Sequence, residues 1–188
     1  MTSSPHTDAH PRFAEALREL GLESVLSGVR SFPDATRTAA QAAEAVGCAL
    51  GEIVKSLIFA AWGSPLLERS RELGGGVPVL VLMDGASRVD MELVRRELGA
   101  EKVTRANADV VRETTGYAIG GVPPFGHRTR TRVLADRGLL DHALVWAAAG
   151  TPHTVFPMDP KDLVAHAGGT LVDVREAGEI REARESGR

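Results

Sequence analysis

The sequence predicts an α/β domain of mixed, α+β-like character: a mixed sheet or partly closed barrel-like sheet surrounded by helices. Strand and helix patterns are interspersed without the regular spacing of βαβ units, which argues against a doubly wound fold. One apolar run, Val77 to Met83, is continuous rather than alternating, as in a strand covered on both faces. A length of 188 residues with 43% hydrophobic and 25% charged residues suits one domain with a full core.

The elements follow in order. Met1 to Asp8 is polar and is expected to be a disordered tail. Phe13 to Leu20 has apolar residues at helical spacing and a glycine stop at Gly21. Phe32-Pro33-Asp34 is a turn signal. Thr38 and Gln41 have capping-box spacing and open an alanine-rich helix that ends at Gly47, small enough in its side chains to pack closely on a sheet. Glu52 to Phe59 reads as a strand, and Val77 to Met83 as the next. Between them, Trp62 to Gly76 has Ser64-Pro65 at a helix start and three glycines at its end, so a helical excursion is expected there. Asp90 caps a helix over Met91 to Leu98, stopped by Gly99, and Asn107 caps another over Ala108 to Thr115, stopped by Gly116. Short strands are expected at Thr131–Leu134, Ala143–Ala147 and His153–Phe156. Asp159-Pro160 opens a last short helix, Leu171 to Val174 is a terminal strand, and Arg181 to Arg188 a charged tail. The organisation is thus one domain over residues 9–180 between tails at 1–8 and 181–188.

Charge and composition exclude several classes. A net charge of −3 argues against a protein that holds nucleic acid by bulk phosphate attraction, although not against one that grips a single nucleotide end. The single cysteine, Cys48, permits no intrachain disulfide and reads as a packed side chain; with no Cys/His cluster, no metal site is expected. His6, His10, His142 and His166 lack metal-ligand spacing. No apolar run approaches the ~20 residues that span a bilayer, and the N-terminus lacks signal-peptide features, so a cytoplasmic location is expected.

Two features carry candidate chemistry. Lys55 sits inside an apolar strand, where it is either an edge lysine reaching solvent or an ammonium aimed into a pocket to bind a phosphate or polarise a carbonyl. The segment Thr114 to His127 packs four glycines and two prolines among apolar and aromatic residues. It is either a turn-rich connection or a shaped loop whose backbone carbonyls and amides surround a small ligand. Gly116, Gly120, Gly121 and Gly126 do not form GxGxxG spacing, and no GK[ST] follows, which disfavours the familiar phosphate cradles. His127 and His153 are candidate acid/base or hydrogen-bonding groups. Arg128, Arg130 and Arg132 place three cations on one face of an extended segment, a solvated face or a phosphate contact. Asp136 and Asp141 flank an expected turn as caps or polar site groups.

In order, these residues resemble the YbaK family, the free-standing relatives of the editing domain inserted in bacterial prolyl-tRNA synthetase. The resemblance rests on Ile53-Val54-Lys55-Ser56-Leu57-Ile58-Phe59, on the Asp-capped Met91 to Gly99 helix, on Thr115 to His127, and on Ala149-Gly150-Thr151-Pro152-His153. It runs from about Thr38 to Val174. It implies the compact editing-domain fold and trans-editing: an aminoacyl-tRNA deacylase that hydrolyses the ester of a mischarged tRNA such as Cys-tRNA(Pro), Ala-tRNA(Pro) or that of a similar small amino acid. Lys55 matches the family's critical lysine and is the catalytic candidate. Gly120, Gly121, Val122, Pro123 and Pro124 match its Gly-x-x-x-Pro element, which lines the aminoacyl pocket; His127 and His153 complete the substrate-binding candidates. No cofactor or metal is implied. The partners implied are the 3′ end of a mischarged aminoacyl-tRNA and a synthetase that could supply affinity, with no DNA and no membrane. The competing expectations are a non-catalytic module that binds a small molecule or nucleotide end in the same pocket, and a small-ester hydrolase. The Trp62–Gly76 excursion, longer than usual for the family, is either an inert surface helix or a change to the substrate entrance.

Overall fold

The structure, a computed structural model, describes residues 8–67 and 76–177. Helix α1 (Pro11–Glu19) carries proline in its first turn, and the His10 side chain caps it by accepting from the Arg12 amide. Strand β1 (Arg30–Ser31) is followed by α2 (Ala39–Val46), which has the expected capping box at Thr38 and a left-handed Gly47 at its end. Strands β2 (Val54–Trp62) and β3 (Val77–Asp84) precede α3 (Met91–Glu97), β4 (Lys102–Arg105) and α4 (Ala108–Thr115). The chain closes with β5 (Arg132–Asp136), β6 (Val145–Ala148), β7 (Thr154–Met158), α5 (Pro160–Ala167) and β8 (Thr170–Val172).

Five strands form one sheet in the order β4-β2-β3-β5-β8, antiparallel around β2 and parallel from β3 to β8. The order β1-β7-β6 forms a second, antiparallel sheet. All eight residues of β3 are buried because both of its faces are covered, which is why its sequence does not alternate. On one face Leu80 and Leu82 join Val54, Ile58 and Val133 in a core shared with Phe13 and Leu17 of α1 and Phe156 of β7. Phe13, Phe125 and Phe156 meet there with ring centroids 5.0 to 5.9 Å apart. On the other face Val79, Val81 and Met83 pack with Phe59, Val94 and Leu98. The small residues Ala42 and Ala43 of α2 pack on Trp146 and Val155, behind the second sheet.

The partial barrel closure expected from the sequence is corrected. The two sheets stay open and meet through one parallel bridge, Ile53 to Trp146. Strand β4 runs alongside β2 only from Phe59 to Trp62, so the ladder stops short of Lys55 on that side. Strands β1 and β4 escape prediction because they are short and polar: β1 is exposed, and β4 reads Lys-Val-Thr-Arg with exposed ends. The same holds for 3-10 turns at Glu23–Gly28 and Leu50–Glu52, whereas the turn expected between Asp136 and Asp141 is a 3-10 turn at Arg137–Asp141. Of the Trp62–Gly76 excursion, Pro65–Leu67 forms a 3-10 turn, and residues 68–75 lie outside the described residues. The two expected tails also lie outside them, save for Asp8, whose carboxylate accepts from the Ser31 hydroxyl at 2.6 Å. Among the described residues no helix is long and apolar enough to cross a membrane.

Candidate functional site

Alternation along β2 puts Lys55 on the face that carries Leu57 and Phe59, and Ser56 on the face of Val54 and Ile58. Both line a cleft of about 670 Å³ at the half of β2 that β4 leaves uncovered. Lys55 is half-buried there, and its ammonium donates to the carbonyl of Ser87.

The Ser87 carbonyl is held by a turn at the end of β3. The Asp84 carboxylate accepts from the amides of Ala86 and Ser87 at 3.0 and 2.9 Å and from the Ser87 hydroxyl at 3.1 Å. Arg175, just past β8, donates to Asp84 at 2.9 Å and to Asp136, at the end of β5, at 2.6 Å. Asp136 also accepts from the Val174 and Gly138 amides. Both carboxylates are buried, and these bonds satisfy charges that would be costly alone. Burial on its own would lower the pKa of Arg175, but the hydrogen bonds and charges of Asp136 and Asp84 outweigh it and raise it.

Ile119, Gly120 and Val122 line the same cleft. Gly120 takes a left-handed φ of +88°. A Cβ on Gly121 would lie 2.8 Å from the Thr151 Cα and 2.9 Å from the Gly150 carbonyl, so only glycine lets the two loops touch. The segment is pinned at both ends. Thr115 Oγ1 accepts from the Tyr117 amide and donates to the Val111 carbonyl, while the buried Tyr117 hydroxyl donates to the Gly126 carbonyl at 2.9 Å. Burial raises the Tyr117 pKa well above its ordinary value. The His127 Nε2 sits 2.6 Å from the Pro123 carbonyl, which fixes Nε2–H as donor to it; burial lowers the pKa of this ring, with the Pro123 bond opposing.

Of the residues predicted from sequence, the structure therefore brings Lys55, Gly120 and Val122 to one cleft. Gly121 serves as the packing contact with Gly150 and Thr151 behind it. Pro124 and His127 instead line a second cleft of about 640 Å³ with Arg128, Arg130 and Arg132, and Pro123 lines neither. His153 is exposed and reaches the Phe32 carbonyl through Nδ1 at 3.2 Å. Asp136 is a buried anchor that also caps the 3-10 turn after β5. Cys48 packs beside α2, and burial, with Glu52 adding, raises its thiol pKa.

Sequence reasoning missed Ser56, Arg37 and Arg105 on the cleft wall, and Asp84 and Arg175 beneath it. An aspartate directly after a buried apolar run, followed by Gly-Ala-Ser, was the available signal for the turn at Asp84. Lys55, Arg37, Arg88 and Arg105 all line the cleft, and Glu176 is the one carboxylate among its described lining residues. The cleft is thus locally positive in an acidic chain. Among the described residues no group of three or more His, Cys, Asp or Glu is arranged to hold a metal ion.

Comparison with known proteins gives consistent results. The family described as aminoacyl-tRNA editing domain matches residues 33–165. The uncharacterized protein YwhH of Bacillus subtilis (strain 168) is 30% identical over 135 residues, covering 72% of this chain and 78% of that protein. The proline--tRNA ligase of Limosilactobacillus fermentum is 30% identical over 130 residues, 68% of this chain but only 21% of the ligase. Among solved structures, one described as "a putative trans-editing enzyme for prolyl tRNA synthetase" superposes with a TM-score of 0.76 at 38% identity, over 94% of this chain and 100% of that one.

Proposed function

The chain belongs to the aminoacyl-tRNA editing domain family, and on that premise we propose that it is a trans-acting deacylase. Its substrate is a tRNA, tRNA(Pro) foremost, carrying a wrongly attached small amino acid such as cysteine or alanine. The observation that carries this reading is the position of Lys55. An ammonium held by the Ser87 carbonyl and the backbone of Gly120 line one cleft open to solvent.

An aminoacyl ester is already activated, so positioning and charge stabilisation suffice without a nucleophilic side chain. Water attacks the ester carbonyl, and Lys55 stabilises the negative charge that develops on its oxygen. Collapse breaks the ester bond and releases the amino acid and a free 3′ hydroxyl. Arg37, Arg88 and Arg105 are placed to meet phosphates of the tRNA 3′ end. Three cations give limited purchase on a whole tRNA, which favours a synthetase partner that delivers the substrate.

Deacylation of Cys-, Ala- and Ser-charged tRNA by the wild type and Lys55→Ala tests the proposal. Loss of one transition-state donor should lower the rate about 100-fold or more with the fold intact. A fully active variant overturns the role of Lys55. Absence of hydrolysis by the wild type across a full tRNA panel would return the cleft to a binding module.

A further inference from the structure

Ser56 is the neighbour of Lys55 on β2, and its Oγ is buried without a hydrogen-bond partner among the described residues. It lines the main cleft and also a side chamber of about 100 Å³ that opens from the same stretch of β2. Ile58, Val111, Ile119 and Val122 make most of the chamber's wall apolar. A buried hydroxyl with no partner is costly, and protein interiors seldom keep one without a use. Its nearest replacement, alanine, would fill the same place without that cost.

We propose that the chamber takes the side chain of the aminoacyl group and that Ser56, turning its Oγ into the chamber, hydrogen-bonds a hydroxyl or thiol upon it. This rests on the deacylase reading and narrows it to a polar γ-atom, serine or cysteine, in preference to alanine. The strand supplies the geometry. Successive residues point to opposite faces, so Lys55 and Ser56 reach the two sides of one ester: Lys55 the reacting carbonyl, Ser56 the side chain. A site built to pair with a polar group rejects the analogue that lacks it, because its own group is then left unpaired. An apolar chamber of this size would by itself separate small side chains poorly. The hydroxyl is what makes the choice chemical.

The test uses the full chain and Ser56→Ala in single-turnover deacylation of one tRNA charged with serine, cysteine or alanine. The wild type should favour serine and cysteine. In Ser56→Ala those two rates should fall about tenfold, the worth of one hydrogen bond, while the alanine rate stays within about twofold. Ser56→Thr, which keeps the hydroxyl, should keep the order of preference. The thermal midpoint of Ser56→Ala should match or exceed that of the wild type, since no group among the described residues bonds the hydroxyl in the free protein. An equal fall in all three rates, an unchanged preference, or a lowered midpoint overturns the proposal while leaving deacylation standing. No hydrolysis of any ester by the wild type overturns the deacylase reading and this proposal with it.

Discussion

His127 shows how a residue chosen for chemistry can serve shape instead. Its Nε2–H braces the Pro123 carbonyl, and burial holds its pKa below the ordinary 6.5. The unfolded chain takes up a proton near that ordinary value and the folded protein resists it. Stability contributed by the neutral ring is therefore complete above about pH 6.5 and is lost as pH falls toward the depressed folded value. His127→Gln keeps a donor near the Nε2 position but cannot titrate. Denaturant midpoints measured from about pH 7.5 to 5 should decline less in this variant than in the wild type. Some decline will remain, because burial, with Arg12 adding, lowers His10 in the same direction. At this scale the sequence reveals Lys55 because a cation inside an apolar strand stands out. It hides Ser56, since serine fits a strand, a turn or a surface equally and only its surroundings mark it.

At the scale of elements, the parallel strands β3, β5 and β8 end together, and Asp84, Asp136 and Arg175 tie those ends. The tie sets the turn whose Ser87 carbonyl holds Lys55. Arg175→Ala would leave two buried carboxylates without their cation. It should cost about 3 kcal/mol, the low end for a buried pair because Arg175 is partly exposed. Deacylation should fall too, through displacement of Lys55; urea unfolding alongside rate measurements at a temperature where the variant is folded separates the two effects. Caps at Thr38, Asp90, Asn107 and Asp159 were legible because each is a local hydrogen bond between residues two or three apart. The Asp84–Arg175–Asp136 tie spans 91 and 39 residues in sequence, and no local pattern announces it. Strand β4 was illegible for a related reason: its partner Phe59–Trp62, not its own composition, makes it a strand.

For the whole molecule, charge distribution matters more than the net value of −3. The cations around the cleft should make tRNA affinity salt-dependent, with KM rising as salt is raised from about 50 to 200 mM while kcat changes little. Replacing Arg105 by Ala should shallow that dependence by about one phosphate contact. Fold class was legible in the interspersed pattern and in β3. Openness of the sheet was not, because closure depends on where β4 stops, a matter of register. That stopping point has a further consequence. Half of β2 has no strand paired on its β4 side, the kind of edge on which a second chain can add its own strand and start a growing stack. The glycine-rich segment at Ile119 to Val122 stands where such an intruder would lie. The loop that shapes the pocket therefore also covers an edge on which a second chain could otherwise add a strand.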